Sequence, residues 1–192
     1  MWVLALLLLA AAPVFRESTL PHILFNSASG QKRLPETMAG GLAIFDFDQD
    51  GLQDLYFTNT APQPSLLKSS PAHHNRLYRN LGAGKFADVT AAAGVQGLGF
   101  DMGVAAADFN NDGLPDLFVA SLNRNRLYQN LGQGKFRDVT QAAGLERPNQ
   151  PWAVGAGWFD FDNDGDLDLF VVNYVQWNPA LEPACGAPVR TY

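Results

Sequence analysis

Three segments of the chain carry acidic residues at the same spacing. Residues 46–54 read DFDQDGLQD, residues 108–116 read DFNNDGLPD and residues 160–168 read DFDNDGDLD, and we name them loop 1, loop 2 and loop 3. Side-chain oxygens at positions one, three, five and nine of a tight loop converge on one point, and glycine at position six permits the sharp turn. Crowded carboxylates repel one another unless a cation neutralises them. The spacing therefore predicts three sites for a hard divalent cation.

The predicted ligands are all oxygen atoms, which suit Ca²⁺, whereas Zn²⁺ prefers histidine or cysteine. The side-chain ligands are Asp46, Asp48, Asp50, Asp54, Asp108, Asn110, Asp112, Asp116, Asp160, Asp162, Asp164 and Asp168. The position-seven backbone carbonyls, predicted to add one ligand each, belong to Leu52, Leu114 and Asp166. Loop 2 has an asparagine at position three, so it is predicted to bind calcium more weakly than the other two, because ligand charge tunes affinity.

Metal-free turns and EF-hands are less favoured interpretations of these loops. Asp, Asn and Gly form turns without any metal, but one spacing repeated three times favours a common ligand. An EF-hand requires glutamate at position twelve, where this chain has Phe57, Val119 and Val171. The cation is therefore expected in a loop between strands and not between helices.

The sequence repeats itself around these loops. Residues 75–95 and 125–145 align without a gap and match at 16 of 21 positions, and one of the differences is Arg79 against Gln129. The segment around each acidic loop occurs three times, at residues 43–59, 105–121 and 157–173. Each full unit contains four short apolar stretches separated by turns, which is typical of one β-propeller blade. We therefore predict an all-β propeller of which this chain supplies about three four-stranded blades, with a calcium loop between the first two strands of each.

The predicted organisation has five parts. They are a signal peptide at 1–20, a lead-in segment at 21–40, a first blade at 41–95, a second blade at 96–148 and an incomplete third blade at 149–192. The apolar run from Trp2 to Phe15 is too short to span a bilayer and favours export to the periplasm or the outside of the cell. Residues 60–74, with His73 and His74, are an insertion between two strands of the first blade and are expected to form a surface excursion.

The composition argues against a nucleic-acid partner, and the predicted blades are too few for a closed propeller. The net charge is −6 in 192 residues, and no basic cluster exists for a nucleic acid. Propellers close with about 4 to 8 blades, so further blades are expected beyond Tyr192. The single cysteine, Cys185, is expected to be free or to pair outside this chain.

These motifs resemble the FG-GAP/VCBS repeats of integrin α-subunit propellers. The similarity is greater to the cartilage acidic protein-like family, which carries an ASPIC/UnbV domain. It is carried by LPETMAGGLAIFDFDQDG at 34–51, NRLYRNLGAGKFADVT at 75–90 and LFVVNYVQW at 169–177. The resemblance implies a propeller of seven blades, Ca²⁺ at the predicted ligands of the three loops, an exported location and a binding or adhesion role. We expect the ligand to be a protein or a glycan and the protein to be noncatalytic.

Three alternatives remain open from the sequence. Trp152, Trp158 and Trp177 could stack on sugars in a lectin-like glycan binder, although they are expected to fill space between blades. The chain could instead be a noncatalytic scaffold for a downstream domain. The strand followed by Asp46 and Asp48 is similar to the opening of a DxD-type phosphatase, but such an enzyme has one copy of this motif and the chain has three.

Overall fold

The computed structural model describes residues 19–30, 33–147, 149–178, 180 and 182. The predicted signal peptide lies almost entirely outside these residues, and Cys185 lies outside them. The described part of the chain contains ten β-strands, one short α-helix and two 3-10 helices. All strand pairs are antiparallel. The prediction of an all-β protein is therefore confirmed.

The first two sheets have four strands each, paired in sequence order. Sheet 1 contains β1 (Leu42–Phe45), β2 (Asp54–Phe57), β3 (Arg76–Asn80) and β4 (Phe86–Asp88). Sheet 2 contains β5 (Asp101–Ala107), β6 (Asp116–Ser121), β7 (Arg126–Asn130) and β8 (Phe136–Asp138). Sheet 3 contains β9 (Ala153–Phe159) and β10 (Asp168–Asn173). The short helices are Leu34–Thr37, Pro71–His73 and α1 (Thr90–Ala93).

Sheets 1 and 2 share their strand register. Leu55 of β2 lies opposite Tyr78 of β3, and Leu117 of β6 lies opposite Tyr128 of β7. Both sheets place an acidic loop between their first two strands, and sheet 3 places loop 3 between β9 and β10. The repeated sequence therefore produces repeated geometry, and each acidic loop is held by a pair of antiparallel strands.

The sheets pack face to face through apolar clusters. Phe47, Leu77 and Leu117 belong to the cluster between sheets 1 and 2, and Phe118 with Trp158 belongs to the cluster between sheets 2 and 3. Every residue of β6 is buried, which fits the non-alternating apolar run in its sequence, because apolar neighbours cover both of its faces. In β10, the equivalent of β6, the side chains are largely half-buried or exposed.

The insertion at 60–74 is more tightly held than a surface excursion would be. Ala61 is fully buried, and the ammonium of Lys68 lies 3.1 Å from the carboxylate of Asp101 with both side chains almost completely buried. His73 is half-buried and its ring lies against Phe25. The prediction of a surface excursion is therefore wrong for Ala61 and Lys68, because an ion pair ties the insertion to the first strand of sheet 2. It agrees with the exposure of Pro64, Ser65, Leu67, Ser69, Pro71 and Ala72.

None of the helices in the described ranges is long and apolar enough to cross a membrane.

Candidate metal centre

The aspartate at position one closes each acidic loop in the same way. Asp46 accepts hydrogen bonds from the backbone N–H groups of Asp50, at 3.1 Å, and Gly51, at 2.8 Å. Asp108 and Asp160 accept the equivalent pairs in loops 2 and 3, at 3.1 and 2.7 Å and at 3.1 and 3.0 Å. One carboxylate therefore fixes the turn at positions five and six in all three loops, and we name this pair of hydrogen bonds the position-one clamp.

Glycine at position six is required by the backbone of this turn. Its φ is +86° at Gly51, +87° at Gly113 and +94° at Gly165. A Cβ atom is strained in this left-handed region, so other residues adopt it at a cost. The sequence prediction that this glycine permits the sharp turn is consistent with these angles.

In loops 1 and 2, the aspartate at position nine joins its loop to the strands through two hydrogen bonds, which we name the position-nine brace. Asp54 accepts hydrogen bonds from the backbone N–H of Phe47, at 3.1 Å, and of Asn80, at 2.7 Å. Asp116 accepts the same two bonds, from Phe109 at 3.1 Å and from Asn130 at 2.7 Å. Each of these carboxylates thus joins the start of the loop to the third strand of its sheet, an N–H interaction that the metal-ligand prediction did not include.

Burial changes the pKa of the two position-nine aspartates, Asp54 and Asp116. Burial raises the pKa of Asp54 and raises that of Asp116 to about 6, while the backbone N–H donors act in the opposite direction. Neighbouring loop carboxylates act in the same direction as burial and contribute to both of these raised pKa values. A divalent cation beside them would favour the ionised forms, because an opposite charge stabilises a carboxylate.

Two of the loops bring three carboxylates together within metal-binding distance. Ligand oxygens of Asp46, Asp48 and Asp50 lie within 4.8 Å of one another, and so do oxygens of Asp160, Asp162 and Asp168. Asp168 accepts one backbone N–H among the described residues, that of Phe161, whereas Asp54 and Asp116 accept two each. No such group of three acidic residues occurs in loop 2 within the part of the chain that the structure describes.

Loop 2 differs because its position three is an amide. The amide nitrogen of Asn110 donates to Asp112 at 2.9 Å, and the amide oxygen accepts from the Asp112 backbone N–H at 3.2 Å. The loop is therefore stabilised by internal hydrogen bonds where the other loops have an additional negative charge. This agrees with the lower ligand charge expected for loop 2.

Loop 1 contains two features that fit a cation. Asp48 Oδ1 is buried and accepts no hydrogen bond from the described residues. The guanidinium of Arg79, on β3, lies with Nε 2.6 Å from Asp48 Oδ2 and Nη2 3.0 Å from Asp50 Oδ2. The loop thus has a spare carboxylate oxygen and already attracts positive charge, so its donor set suits a hard cation such as Ca²⁺. Arg79 was not predicted as part of this site, although its difference from Gln129 was visible in the repeat alignment.

The three loops contact one another through the side chain at position four. Gln49 donates to the backbone carbonyl of Gly113 at 2.5 Å, and Asn111 donates to Asp166 Oδ1 at 2.8 Å. Loop 1 is therefore linked to loop 2, and loop 2 to loop 3.

The position-seven backbone N–H groups of all three loops donate to the position-five aspartates. Their carbonyls, at Leu52, Leu114 and Asp166, stay predicted ligands.

Comparison with known proteins gives one family match. The family model described as FG-GAP-like repeat matches residues 46–119 and 108–171. Each match begins at the position-one aspartate of one loop and extends through the next loop into the strand that follows it. The two matches together cover about two thirds of the chain. No curated protein matches the sequence.

Proposed function

The chain belongs to the FG-GAP-like repeat family, and from that premise we propose that it is an exported calcium-binding β-propeller module that binds a protein or glycan ligand. The family match and the antiparallel β-structure are consistent with a repeat-based binding module. Calcium, export and the ligand are the parts that the proposal adds. The metal is assigned a structural role.

The propeller part of the proposal is supported by how the sheets stack. β5 contacts both β1 and β9, so the first strands of the three sheets lie side by side. Sheet 2 is covered on both faces by its neighbours, as a blade of a propeller is. Phe118 of β6 is 1% exposed, whereas its equivalent in β10, Phe170, is 59% exposed. A further blade on that face of sheet 3 would repeat the packing seen between sheets 2 and 3.

The calcium part rests on one observation above all. The same carboxylate–backbone clamp closes three loops that together concentrate most of the acidic residues at one edge of the molecule. Asp46, Asp48, Asp50 and Asp54 would hold the ion in loop 1, and the matching residues would hold it in loops 2 and 3. When bound, calcium supplies positive charge to carboxylates that otherwise repel one another, so that its binding energy becomes folding energy.

Thermal unfolding with and without calcium tests this role. A site that binds only the folded state adds about 2.7 kcal/mol at a free calcium concentration 100 times its Kd, which raises the Tm of a domain of this size by roughly 8 °C. We expect calcium to raise the Tm of the chelator-treated protein and EGTA to reverse the rise. Magnesium at the same concentration is the control, because loops with many oxygen ligands favour calcium. An identical transition in EGTA and in calcium would contradict structural calcium binding.

The lectin alternative loses much of its support in the structure. Trp152 is completely buried, and Trp158 is half-buried and stacks on Phe109 with ring centroids 6.0 Å apart. Trp177 packs against the apolar cluster that contains Trp152. These rings fill space within and between sheets, and a buried face cannot stack on a sugar. A glycan ligand would therefore have to use other residues.

The phosphatase alternative does not match the surroundings of its nucleophile. That chemistry needs a free carboxylate at the end of a strand in a doubly wound sheet. Here Asp46 lies between antiparallel strands, and both of its oxygens accept backbone N–H groups that hold the turn. We therefore propose a noncatalytic role.

A further inference from the structure

Arg79 places a positive charge directly on one calcium loop and on no other. Its guanidinium spans Asp48 and Asp50, at 2.6 and 3.0 Å from their carboxylate oxygens. It reaches them from β3, so the contact is made across the sheet and not within the loop. Within the described residues, no ion pair involves an aspartate of loop 2 or loop 3.

The second repeat provides a natural comparison at this position. Gln129 occupies the place of Arg79 in β7, in the same strand register. Its side chain is uncharged, and its amide oxygen accepts a hydrogen bond from Arg137 on the neighbouring strand at 2.6 Å. The residue that faces this position also differs between the repeats, because Ala87 lies opposite Arg79 and Arg137 lies opposite Gln129. The comparison therefore concerns a charge placed on the loop in sheet 1 against a charge held by the neighbouring strand in sheet 2.

The guanidinium of Arg79 and a metal ion in loop 1 would bind the same carboxylates, those of Asp48 and Asp50. Arg79 contacts Oδ2 of both Asp48 and Asp50, and a cation bound in loop 1 would draw on these two carboxylates. Two positive groups only a few ångströms apart repel each other, and salt screens this repulsion at an exposed site. With Arg79 present, the four carboxylates of loop 1 act with the net charge of the three in loop 2.

The guanidinium also has room to leave the loop. A groove of about 370 Å³ opens beside it, and its lining includes Arg79, Val89, Ala92 and Lys135. The side chain of Arg79 is 42% exposed, so water can solvate the group when it moves. The groove and the exposure of the side chain therefore leave space for the guanidinium to move away from the loop.

We propose that Arg79 is a built-in counter-ion that competes with calcium for loop 1 and lowers the affinity of this loop. The inference rests on the proposed calcium binding. It also changes the ranking drawn from ligand charge alone, in which only loop 2 was weak: loops 1 and 2 become the weaker sites and loop 3 the strongest.

The test follows each loop separately by NMR on the full chain. The amides of Gly51, Gly113 and Gly165 donate to the position-one aspartates and serve as one reporter per loop during a CaCl₂ titration. The variants are Arg79→Gln, which gives loop 1 the side chain found beside loop 2, and Gln129→Arg, which does the reverse. Arg124→Gln is the matched control. It removes the same charge from an exposed residue between β6 and β7, at the end of sheet 2 opposite loop 2.

We expect Arg79→Gln to lower the calcium midpoint of Gly51 by about tenfold at low salt and by less at high salt. Gln129→Arg should raise the midpoint of Gly113, and the control should move neither. An unchanged Gly51 midpoint in Arg79→Gln, or an equal shift in the control, would overturn the inference while calcium binding stands. If Arg79→Gln does not fold, the response of Gly113 in Gln129→Arg decides. If none of the three glycines responds to calcium in any protein, the proposed function fails, and this inference fails with it.

Discussion

Sheets 1 and 2 have the same strand order and the same pairing around their loops, but they differ in how their buried and loop charges are neutralised. Both have four strands in one register, the same position-one clamp and the same position-nine brace. In both, the threonine of the DVT segment accepts the N–H of a leucine on the neighbouring strand at 2.9 Å. Sheet 1 alone adds Arg79 on its loop and Lys68 in its insertion.

The comparison separates two kinds of residue in a repeat. Residues that the two sheets share, such as the position-nine aspartates and the threonines of the DVT segments, satisfy backbone groups. The sheets also share one ion pair, Arg76 with Asp88 and Arg126 with Asp138. Residues that differ, such as Arg79 and Lys68, neutralise charge on a neighbour. The backbone therefore constrains the shared set, while neutralisation can come from a side chain, from an ion or from an adjacent sheet. Three substitution experiments can test this division.

The largest effect is expected from Lys68→Met. Asp101 would keep its burial and its hydrogen bond from Asn75, at 2.9 Å, but lose its counter-charge. Breaking a buried pair in this way costs about 3–5 kcal/mol. Urea denaturation measures the loss, and Lys85→Met, which removes an exposed lysine of the same sheet, is the control. A loss below about 1 kcal/mol would show that the pair does not hold the insertion to sheet 2.

The next effect concerns the braces that the two sheets share. In Asp54→Asn and Asp116→Asn, one of the two acceptor oxygens becomes an amide nitrogen, so one buried backbone N–H is left without its acceptor. Each variant should lose about 1–3 kcal/mol of unfolding free energy in EGTA, and the two losses should be similar. Asp168→Asn should cost less, because one N–H donates to Asp168 among the described residues. A clear inequality between Asp54→Asn and Asp116→Asn would mean that the two sheets do not use the brace alike.

The smallest effect is a pH dependence centred on Asp116. Its pKa of about 6 in the folded protein exceeds that of an unfolded aspartate, so the folded state holds the proton more tightly. The protonated carboxyl of Asp116 therefore adds to the free energy of unfolding at low pH, and this contribution is lost as the pH rises through about 6. Between pH 5 and pH 7 the loss is about 1 kcal/mol in calcium-free buffer. Denaturation of the wild type and of Asp116→Asn at both pH values measures it, and the same slope in both proteins would assign the titration to another group.

Much of the secondary structure could be predicted because it depends on local spacing. The alternation of short apolar stretches with turn residues indicated strands, and the repeated acidic motif located the loops between them. The non-alternating run at 117–120 indicated a strand covered on both faces, and β6 is one. Each of these predictions needs only residues that are close together in the chain.

Other features could not be predicted because they join residues far apart in the chain. Lysine and aspartate are usually exposed, so the sequence does not indicate that Lys68 and Asp101 form a buried pair when sheets 1 and 2 pack. Neither residue belongs to the repeated pattern. Arg79 lies about 30 residues from the aspartates that it contacts, so only strand pairing brings it to loop 1. The half-burial of His73 likewise depends on Phe25 from the lead-in segment.

The sequence by itself determined which elements form and where carboxylates concentrate, because periodicity and turn chemistry act over a few residues. The tertiary structure decided which faces are covered and which charges are neutralised by other side chains. Loop 1 and loop 3 have similar motifs, yet one is contacted by a guanidinium and no cationic side chain pairs with the other among the described residues. The reason is physical: electrostatic interaction depends on distance in space, and only the packing of strands and sheets sets that distance.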